Sequence, residues 1–184
     1  MRRFVKFLLF FLLITIGLGF GIHAYYKHCF KQNLNSEELD YFIAQINNSE
    51  DLPDDFYKIY DEIHPESLEN DLISSLIHKT ECQSHNIARR IYPLVKQQNT
   101  TRIENLTFEY FLTWEIEKHT DQKQCLNWNA RNFDFLYRAT GVDSASRFYF
   151  KKDLDKLNRN ETETLIKMFK NPMLYNPLRK LNHE

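Results

Sequence analysis

Glycine, proline and cysteine are scarce in this sequence of 184 residues, which contains four, five and three of them. So few glycines and prolines indicate a helical protein with few tight turns. The three cysteines form no Cys-x-x-Cys pair and no Cys/His spacing of the kind that binds zinc. A net charge of -1 argues against the basic surface with which proteins bind nucleic acid, so no nucleic-acid partner is expected.

Hydrophobic residues supply 42% of the chain and aromatic residues 15%. This composition fits a packed core rather than a disordered chain, and the length allows one modest domain besides any targeting segment. We expect a division into three parts. Residues 1–26 form an N-terminal membrane anchor, residues 27–49 a polar linker with a juxtamembrane helix, and residues 50–184 a helical domain.

The N-terminal segment is one apolar run preceded by positive charge. Arg2, Arg3 and Lys6 come before the uncharged residues 7–22, and the run extends to Tyr26. Its length approaches the roughly 20 residues that a membrane helix needs, so we expect one N-terminal transmembrane helix. Because the basic residues precede the run, the N-terminus is expected inside. The domain would then lie on the periplasmic or extracytoplasmic side of the inner (cytoplasmic) membrane.

A cleavable signal peptide is the alternative for this segment. The small-x-small pattern at which such peptides are cut is only partly matched at residues 21–24, which favours an uncleaved anchor. Residues beyond the anchor would lie in an oxidising compartment, where Cys82 and Cys125 could form a disulfide and leave Cys29 beside the membrane. Three unpaired thiols are the alternative, and the spacing does not decide between the two.

Hydrophobic residues at intervals of three and four predict a series of amphipathic helices, and hence an all-α domain. The predicted starts are an N-cap at Ser36, a strong helix opening at Thr107 and a capping-box pattern at Asn160. Two predicted ends are His64-Pro65 and Asn171-Pro172, since a residue before proline avoids the helical region. Further helices are predicted around residues 68–76, 87–95, 121–128 and 144–150.

A series of motif residues runs through the last third of the chain. They are Glu117, Cys125-Leu126, Phe133 to Phe135, Gly141-Val142-Asp143-Ser144-Ala145-Ser146-Arg147-Phe148-Tyr149-Phe150-Lys151, Leu157, Glu161, Asn171-Pro172 and Tyr175-Asn176-Pro177. In this order they resemble the C-terminal half of a peptidoglycan glycosyltransferase (transglycosylase) domain, glycosyltransferase family 51, of the monofunctional biosynthetic type. The resemblance is dense over 109–179, weak over 80–108 and only positional over 50–66.

The resemblance implies a lysozyme-like helical transglycosylase domain and a class of reaction. Such enzymes join the sugar of a lipid-linked disaccharide to a growing glycan, so an acceptor hydroxyl loses a proton and a pyrophosphate leaves. This chemistry needs a carboxylate base and cationic groups around the phosphates. The resemblance also implies a divalent cation near the pyrophosphate, although the sequence shows no ligand cluster for a metal.

Glu109 is the candidate for the second catalytic glutamate of the family. It stands in register with Thr113 and Glu117, whereas the Arg-Lys pair that precedes this glutamate in the family is replaced by Asn105-Leu106. Arg102, seven residues upstream of Glu109, is a candidate for the missing positive charge at the substrate. The alternative for Glu109 is an exposed helix carboxylate with no catalytic role.

The first catalytic glutamate of the family has no clear equivalent. Its position falls near His64-Pro65, and the flanking Glu62 and Glu66 are the weaker candidates for the base. His64 is a further candidate, because the usual pKa of histidine lies near neutrality. The alternative is that both glutamates are surface charges at helix ends. The stretch from His64 to His85 is also too short for the mobile segment of the family, so the domain is truncated there.

The polar GGSTI.QQ segment of the family corresponds to residues 83–90, where only Ile87 matches. Arg89 and Arg90 replace the two glutamines, and guanidinium groups can hold a pyrophosphate by paired hydrogen bonds. Asn86 stands in the Ser-Thr part of the segment and is a further substrate-binding candidate. The alternative is a solvated basic turn.

Three functions are compatible with these patterns. The first is a membrane-anchored, degenerate glycosyltransferase-like protein of the bacterial cell envelope, a pseudoenzyme that binds lipid-linked precursor, glycan or a cell-wall synthesis protein. The second is an active, divergent transglycosylase, in which Glu109 assists the leaving pyrophosphate and Glu66 or Glu62 is the base. The third is a helical envelope adaptor with an aromatic surface for a protein partner. The first is favoured because scaffold positions are kept while catalytic positions are replaced.

Overall fold

The computed structural model of the chain describes residues 2–95 and 101–182, without the side chains at 2–3, 29, 31–33 and 180–182. Within these residues the α-helices are α1 (Arg2–Asn33), α2 (Ser36–Asn47), α3 (Asp54–Ile63), α4 (Leu72–His78), α5 (Gln83–Val95), α6 (Arg102–Glu117), α7 (Gln122–Asn132), α8 (Val142–Phe150) and α9 (Arg159–Lys170). Short 3₁₀ turns lie at Leu154–Lys156 and Pro177–Asn182. The all-α prediction is confirmed. Arg2, Arg3 and Cys29, which have predicted roles, lie outside the described side chains.

The first helix is longer than the apolar run predicts. Phe4–His28 is long and apolar enough to cross a membrane, and its most apolar part is not buried by the rest of the described chain. This fits a single-pass membrane anchor. The helix continues to Asn33, so the first residues of the predicted linker, 27–33, are helical. The reason is packing, because the last turns of α1 lie against the domain.

These last turns pack antiparallel to α6 through aromatic side chains. The Phe30 ring lies 5.3 Å from that of Phe108, and the Tyr26 ring 5.1 Å from that of Phe111. The Tyr26 hydroxyl also donates a hydrogen bond to the Glu115 carboxylate. Earlier residues of α1 therefore contact later residues of α6, which joins the apolar helix to the domain without a break.

Two helix starts differ from the prediction in their cap. Asn35, not Ser36, caps α2 by accepting a hydrogen bond from the Glu38 backbone N at 2.8 Å. Thr101 caps α6 in the same way, so Thr107 lies inside the helix rather than at its start. Both caps have a glutamate three residues later that binds back to the cap, and this capping box satisfies two backbone N–H groups at once.

The start of α9 shows the same choice between neighbouring residues. Asn158 and Asn160 both have a glutamate three residues later, and the structure uses Asn158, whose Oδ1 accepts from Glu161 N at 3.0 Å. Glu161 is fixed from its other side by Lys152 Nζ at 2.8 Å, which favours this box over the predicted one. The predicted ends at His64 and Asn171 are confirmed as C-caps.

The helix predicted around residues 68–76 begins later, at Leu72. Asp71 stops it from starting earlier by accepting a hydrogen bond from Ser74 N at 2.7 Å, as an N-cap does. Leu68 consequently lies in the turn before α4 and packs against the core from there. This turn contains Glu66, whose φ of 64° is left-handed.

The core consists of two hydrophobic clusters that share α7. One cluster packs α3, α8 and α9 around Leu126 and Ala130, and the other packs α2, α5 and α6 around Cys125. Leu126 and Cys125 are adjacent and therefore about 100° apart around the helix, so α7 presents different faces to the two clusters. The clefts between the clusters are consequently where polar side chains from several helices meet.

Cys82 and Cys125 are free thiols, so of the two alternatives for this pair the unpaired one holds. Cys82 Sγ lies 3.0 Å from Ser84 Oγ and Cys125 Sγ lies 3.2 Å from Thr120 Oγ1. Burial raises the pKa of Cys125 to about 12. A buried thiol that resists deprotonation is a poor nucleophile, so Cys125 has a packing role.

Candidate functional site

A pocket of about 420 Å³ opens where the two hydrophobic clusters meet. Helices α3, α5, α7 and α9 and the adjoining loops line it. The lining residues are Tyr60, His64, Glu81, Gln83, Asn86, Arg89, Arg90, Asn129, Phe133, Phe169 and Lys170. Three cations stand there against one carboxylate, so the pocket suits an anionic ligand.

Helix α5 supplies the largest share of this lining. Gln83, Asn86 and Arg90 follow one another at intervals of three and four, which places them on one face of the helix. The adjoining side of the helix buries Ile87 and Ile91 in the second hydrophobic cluster. The helical period therefore turns three of the residues that replace the GGSTI.QQ segment into the pocket.

The start of α5 is held by side chains from two other helices. Gln122 Oε1 accepts hydrogen bonds from the backbone N of Gln83 and of Ser84, at 2.7 and 3.1 Å. These are two of the N–H groups that a helix start leaves without partners. Glu117 Oε1 accepts from Ser84 Oγ at 2.7 Å and from the Leu72 backbone N at 2.8 Å. The motif residue Glu117 thus ties α4, α5 and α6 together beside the pocket.

Arg90 is a half-buried cation in the lining of the pocket. Its guanidinium lies 4.5 Å above the Phe133 ring, and its Nη1 donates to the Asn129 carbonyl O at 3.3 Å. Burial lowers the pKa of Arg90, which means that the folded environment disfavours the charged form of its guanidinium. Among the described residues no carboxylate lies within ion-pair distance of it. An anion in the pocket would supply the missing counter-charge.

Glu109 lies behind Arg89 rather than among the lining residues. Its carboxylate Oε1 is 3.0 Å from His85 Nε2 and 3.7 Å from Arg89 Nε, and its side chain is 15% exposed. Burial raises the pKa of Glu109, and Arg89 opposes that shift in part. Arg89 belongs both to this cluster and to the pocket, so it connects the two.

The contact between Glu109 and His85 is a hydrogen bond rather than a pair of full charges. Burial lowers the pKa of His85, and nearby Arg89 lowers it further, so a neutral imidazole is favoured at neutral pH. His85 Nδ1 lies 3.2 Å from Thr113 Oγ1. Both ring nitrogens therefore have partners, and the arrangement fixes the Glu109 carboxylate in place.

The two weaker glutamate candidates lie outside the pocket lining. Glu62 is exposed and forms an ion pair with Arg159 of α9. Glu66 is exposed in the turn after α3. Tyr60 and His64 are four residues apart and share the pocket side of α3, whereas Glu62, two residues from each, points to another side. Arg102 is exposed in the first turn of α6, also outside the lining.

The pocket contains a carboxylate that sequence reasoning missed. Glu81 precedes α5, and its Oε2 accepts from Asn86 Nδ2 at 3.3 Å. Across the pocket, the His64 ring lies 5.0 Å from the Tyr60 ring. Burial lowers the pKa of His64, while Glu81 raises it and Lys170 lowers it. The signal that could have found Glu81 is its place two residues before the segment that corresponds to GGSTI.QQ.

The pocket contains few side chains of the types that bind a metal ion. Among the described residues no group of three His, Cys, Asp or Glu side chains is close enough to hold one. Glu81 is the one acidic side chain of the lining. The residues present therefore do not form a metal centre of their own.

The family model described as Transglycosylase matches residues 87–184, which is more than half of the chain. The fold and this match define the class, and the chain belongs to the transglycosylase family. The matched part begins inside α5. It includes Arg89, Arg90 and Glu109, whereas His64 and Glu81 precede it.

Two curated proteins are similar to part of this chain. Both are penicillin-binding protein 2a of Streptococcus pneumoniae, from serotype 2 strain D39 / NCTC 7466 and from strain ATCC BAA-255 / R6. Each is 34% identical over 76 residues, which is 41% of this chain and 10% of the relative. The chain thus spans about a tenth of the length of these relatives.

Proposed function

We propose that this chain binds the pyrophosphate-linked glycan precursor of cell-wall synthesis in its cationic pocket and has little or no polymerase activity. It would act at the membrane surface of a bacterial envelope, as a degenerate member of its family that holds precursor or glycan for a cell-wall synthesis partner. The observation behind this proposal is the half-buried Arg90, whose charge has no carboxylate partner among the described residues.

The chemistry of the pocket supports a phosphate-bearing ligand. Arg89, Arg90 and Lys170 line the pocket, and guanidinium groups bind phosphate oxygens in pairs. Asn86 and Gln83 add amide groups that suit sugar hydroxyls. Family membership supports the same ligand class, since transglycosylases act on lipid-linked disaccharides.

The positions of the candidate catalytic carboxylates support a low polymerase activity. Glu109 is held by His85 behind Arg89, and neither Glu62 nor Glu66 lines the pocket. A transglycosylase needs a base beside the acceptor hydroxyl and a second group that helps the pyrophosphate to leave. The two candidates for the base are thus away from the site that would hold the phosphates.

One observation favours the second candidate function, an active transglycosylase. Glu81 and His64 both line the pocket, and Glu81 has the acceptor oxygens that a base needs. In that case Glu81 would take the proton, Arg89 and Arg90 would hold the pyrophosphate, and Glu109 would act through Arg89. Glu81 then has the role that sequence analysis gave to Glu66 or Glu62.

The membrane arrangement follows from α1. We propose that α1 spans the inner membrane once with the N-terminus inside, so that the domain faces the periplasmic or extracytoplasmic side. Protease added to spheroplasts should then cut the domain and leave an N-terminal fragment in the membrane. Protection of the domain until the cells are lysed would reverse this orientation.

The function is tested with purified full-length protein in detergent. Binding of a fluorescent lipid-linked disaccharide and its polymerisation are measured for the natural chain, the double variant Arg89→Gln/Arg90→Gln, and Arg147→Gln. Loss of charge-assisted hydrogen bonds worth about 1.5–3 kcal/mol each should weaken binding at least about tenfold in the double variant. Arg147→Gln removes one surface charge outside the pocket and should change nothing.

The two assays separate the functions. Binding without polymer, beside an active family member in the same buffer, would agree with the proposal. Polymer that is lost in Glu81→Gln or Glu109→Gln would establish the active enzyme instead. If the natural chain binds no precursor and no glycan, the proposal is wrong and the adaptor hypothesis takes its place.

A further inference from the structure

The carboxyl group of Glu109 and the ring of His85 form a hydrogen bond beside the pocket. His85 Nε2 lies 3.0 Å from Glu109 Oε1, and both side chains are largely buried. The ring of Tyr110 stacks on the His85 ring, with the two centroids 5.4 Å apart. This packing holds the imidazole in one orientation, so each of its two nitrogens meets a fixed partner.

The partner of the other ring nitrogen decides where the imidazole has its proton. His85 Nδ1 lies 3.2 Å from Thr113 Oγ1, and the same hydroxyl donates to the Glu109 backbone O at 2.8 Å. A threonine hydroxyl has one hydrogen, and this bond to the preceding turn of α6 uses it. Thr113 Oγ1 therefore accepts from His85, which places the imidazole proton on Nδ1.

With its proton on Nδ1, a neutral His85 has a lone pair at Nε2. An ionised carboxylate can only accept hydrogen bonds, so the contact between Nε2 and Glu109 Oε1 needs a proton between the two atoms. Burial raises the pKa of Glu109 and lowers the pKa of His85. Both shifts favour this proton on the carboxyl group, so Glu109 donates to His85 as a neutral carboxylic acid.

Arg89 has the contact with Glu109 that is expected beside a neutral acid. Its Nε is 3.7 Å from Glu109 Oε1, whereas charge-assisted hydrogen bonds between guanidinium and carboxylate groups are about 2.7–2.9 Å long. The Arg89 side chain is mostly exposed and lines the pocket. The positive charge of Arg89 is therefore not neutralised by a bound carboxylate on this side.

Few other charges face Glu109. From α5, Tyr92 is the further titratable group whose pKa Glu109 influences. Helix α1 packs on α6 through Phe108 and Phe111, and α4 meets α6 at Glu117, about two turns along the helix. Within the described part of the chain, Arg89 is the permanently charged group at ion-pair distance from Glu109. A change in the charge of Glu109 consequently acts first on Arg89.

We infer that His85 holds Glu109 in its neutral form and thereby leaves the positive charge of Arg89 to an anion in the pocket. An ionised Glu109 would pair with Arg89 and compete with the ligand for the guanidinium. His85 is thus a positioning residue, which acts on the ligand through Glu109 and Arg89. The inference rests on the proposed function for its ligand, an anion with phosphate groups, whereas the protonation of Glu109 can be tested without a ligand.

The protonation is tested by infrared spectroscopy of the full-length protein in detergent micelles at about pH 6, where an ordinary glutamate is ionised. The natural chain should show the carbonyl stretch of a protonated carboxyl group, and Glu109→Gln should lack this band. His85→Ala should lack it too, because water and Arg89 then favour the carboxylate. His78→Ala, which changes an exposed histidine of α4, should keep it. Identical spectra of the natural chain and Glu109→Gln in this region would show an ionised Glu109 and overturn the inference.

The effect on the ligand is tested with inorganic pyrophosphate by titration calorimetry on the same proteins. His85→Ala should bind it about fivefold more weakly, which is the effect of one partly exposed ion pair. The double variant His85→Ala/Glu109→Gln should recover the natural affinity, because no carboxylate is left to pair with Arg89. As pH rises from about 6 to about 8, the natural chain should lose affinity relative to Glu109→Gln, since Glu109 then ionises.

The double variant separates a role through Glu109 from a role in packing. If it binds pyrophosphate as weakly as His85→Ala, His85 acts through packing and the inference is wrong. If no protein binds pyrophosphate, natural chain included, the proposed function is contradicted. The infrared band of Glu109 and its loss in His85→Ala would in that case still support the assignment of the proton.

Discussion

Glu109 shows how position sets the chemistry of a single residue. Its carboxylate is largely buried in α6, between His85 and Arg89, and the desolvation that follows raises its pKa although a guanidinium is near. Arg89 is itself 64% exposed, so solvent weakens its effect on the carboxylate. A group in this state favours its protonated form more than a free glutamate does.

This shift gives a prediction for stability against pH. The folded state raises the pKa of Glu109, so the stability that this group contributes is complete below its unfolded pKa and is lost as pH rises through the folded pKa. Glu109→Gln cannot ionise. Relative to the natural chain, the variant should therefore gain unfolding free energy between about pH 4 and pH 7, measured by urea unfolding in detergent micelles.

Glu163→Gln is the control, because the fold shifts the pKa of Glu163 in the opposite direction. Hydrogen bonds from Lys167 and Arg159 lower the pKa of Glu163, so its contribution is present above the unfolded pKa and lost as pH falls. Relative to the natural chain, this variant should lose stability as pH rises toward about 4.3, the usual pKa of glutamate, and the difference should stay constant above that pH. The same trend in both variants would contradict the assignment of burial as the cause for Glu109.

At the scale of secondary-structure elements, the choice between two possible caps sets where a helix begins. The sequence offers two asparagines before α9, and both have a glutamate three residues later. The structure selects Asn158 because Glu161 can bind back to the cap and to Lys152 at the same time. Asn160 then lies within the first turn of α9, where its side chain is exposed and has no capping role.

Asn158→Ala should lower the unfolding free energy by about 1 kcal/mol, because it removes an N-cap. Asn160→Ala should change it by less than about 0.5 kcal/mol or raise it slightly, since alanine is the better helix former inside a helix. Both are measured by urea unfolding in the same micelles. A larger loss in Asn160→Ala than in Asn158→Ala would move the cap to the position that the sequence pattern suggested.

At the scale of the whole molecule, α1 joins the apolar run and the domain in one continuous helix. The aromatic contacts of Tyr26 and Phe30 with α6 leave no loose linker between the apolar run and the first buried residue of the domain, Leu34. Helix α6 in turn contacts α5, which lines the pocket. In the proposed single-pass arrangement, the height of the pocket above the bilayer is therefore set by packing rather than by the length of a tether.

The anchor itself is tested with Leu12→Arg/Leu13→Arg, two changes in the middle of the apolar run. Each arginine at the centre of a membrane helix costs about 2.5–3.5 kcal/mol on insertion scales. The double variant should therefore be released by alkaline carbonate, whereas the natural chain should need detergent. Ile103→Arg, in the domain, should behave like the natural chain, and retention of the double variant in the membrane would contradict a spanning role for α1.

Some features were determined by local sequence. The apolar run of α1, the helical period of α3, α5 and α9, and the stops at His64 and Asn171 depend on residues close together in the chain, so each could be predicted. The motif residues from Glu117 to Pro177 indicated the family for the same reason. The replacement of the two glutamines by Arg89 and Arg90 was also visible without a structure.

Only the tertiary structure decided which charges face one another. Glu62 and His64 are two residues apart, yet the turn of α3 directs Glu62 to Arg159 and His64 to the pocket. Glu81 becomes a pocket residue because α3 and α9 pack beside the start of α5. Cys82 and Cys125 are free thiols, each beside a hydroxyl group of a different residue. Such outcomes depend on packing between residues far apart in the chain, and local patterns contain no information on that packing.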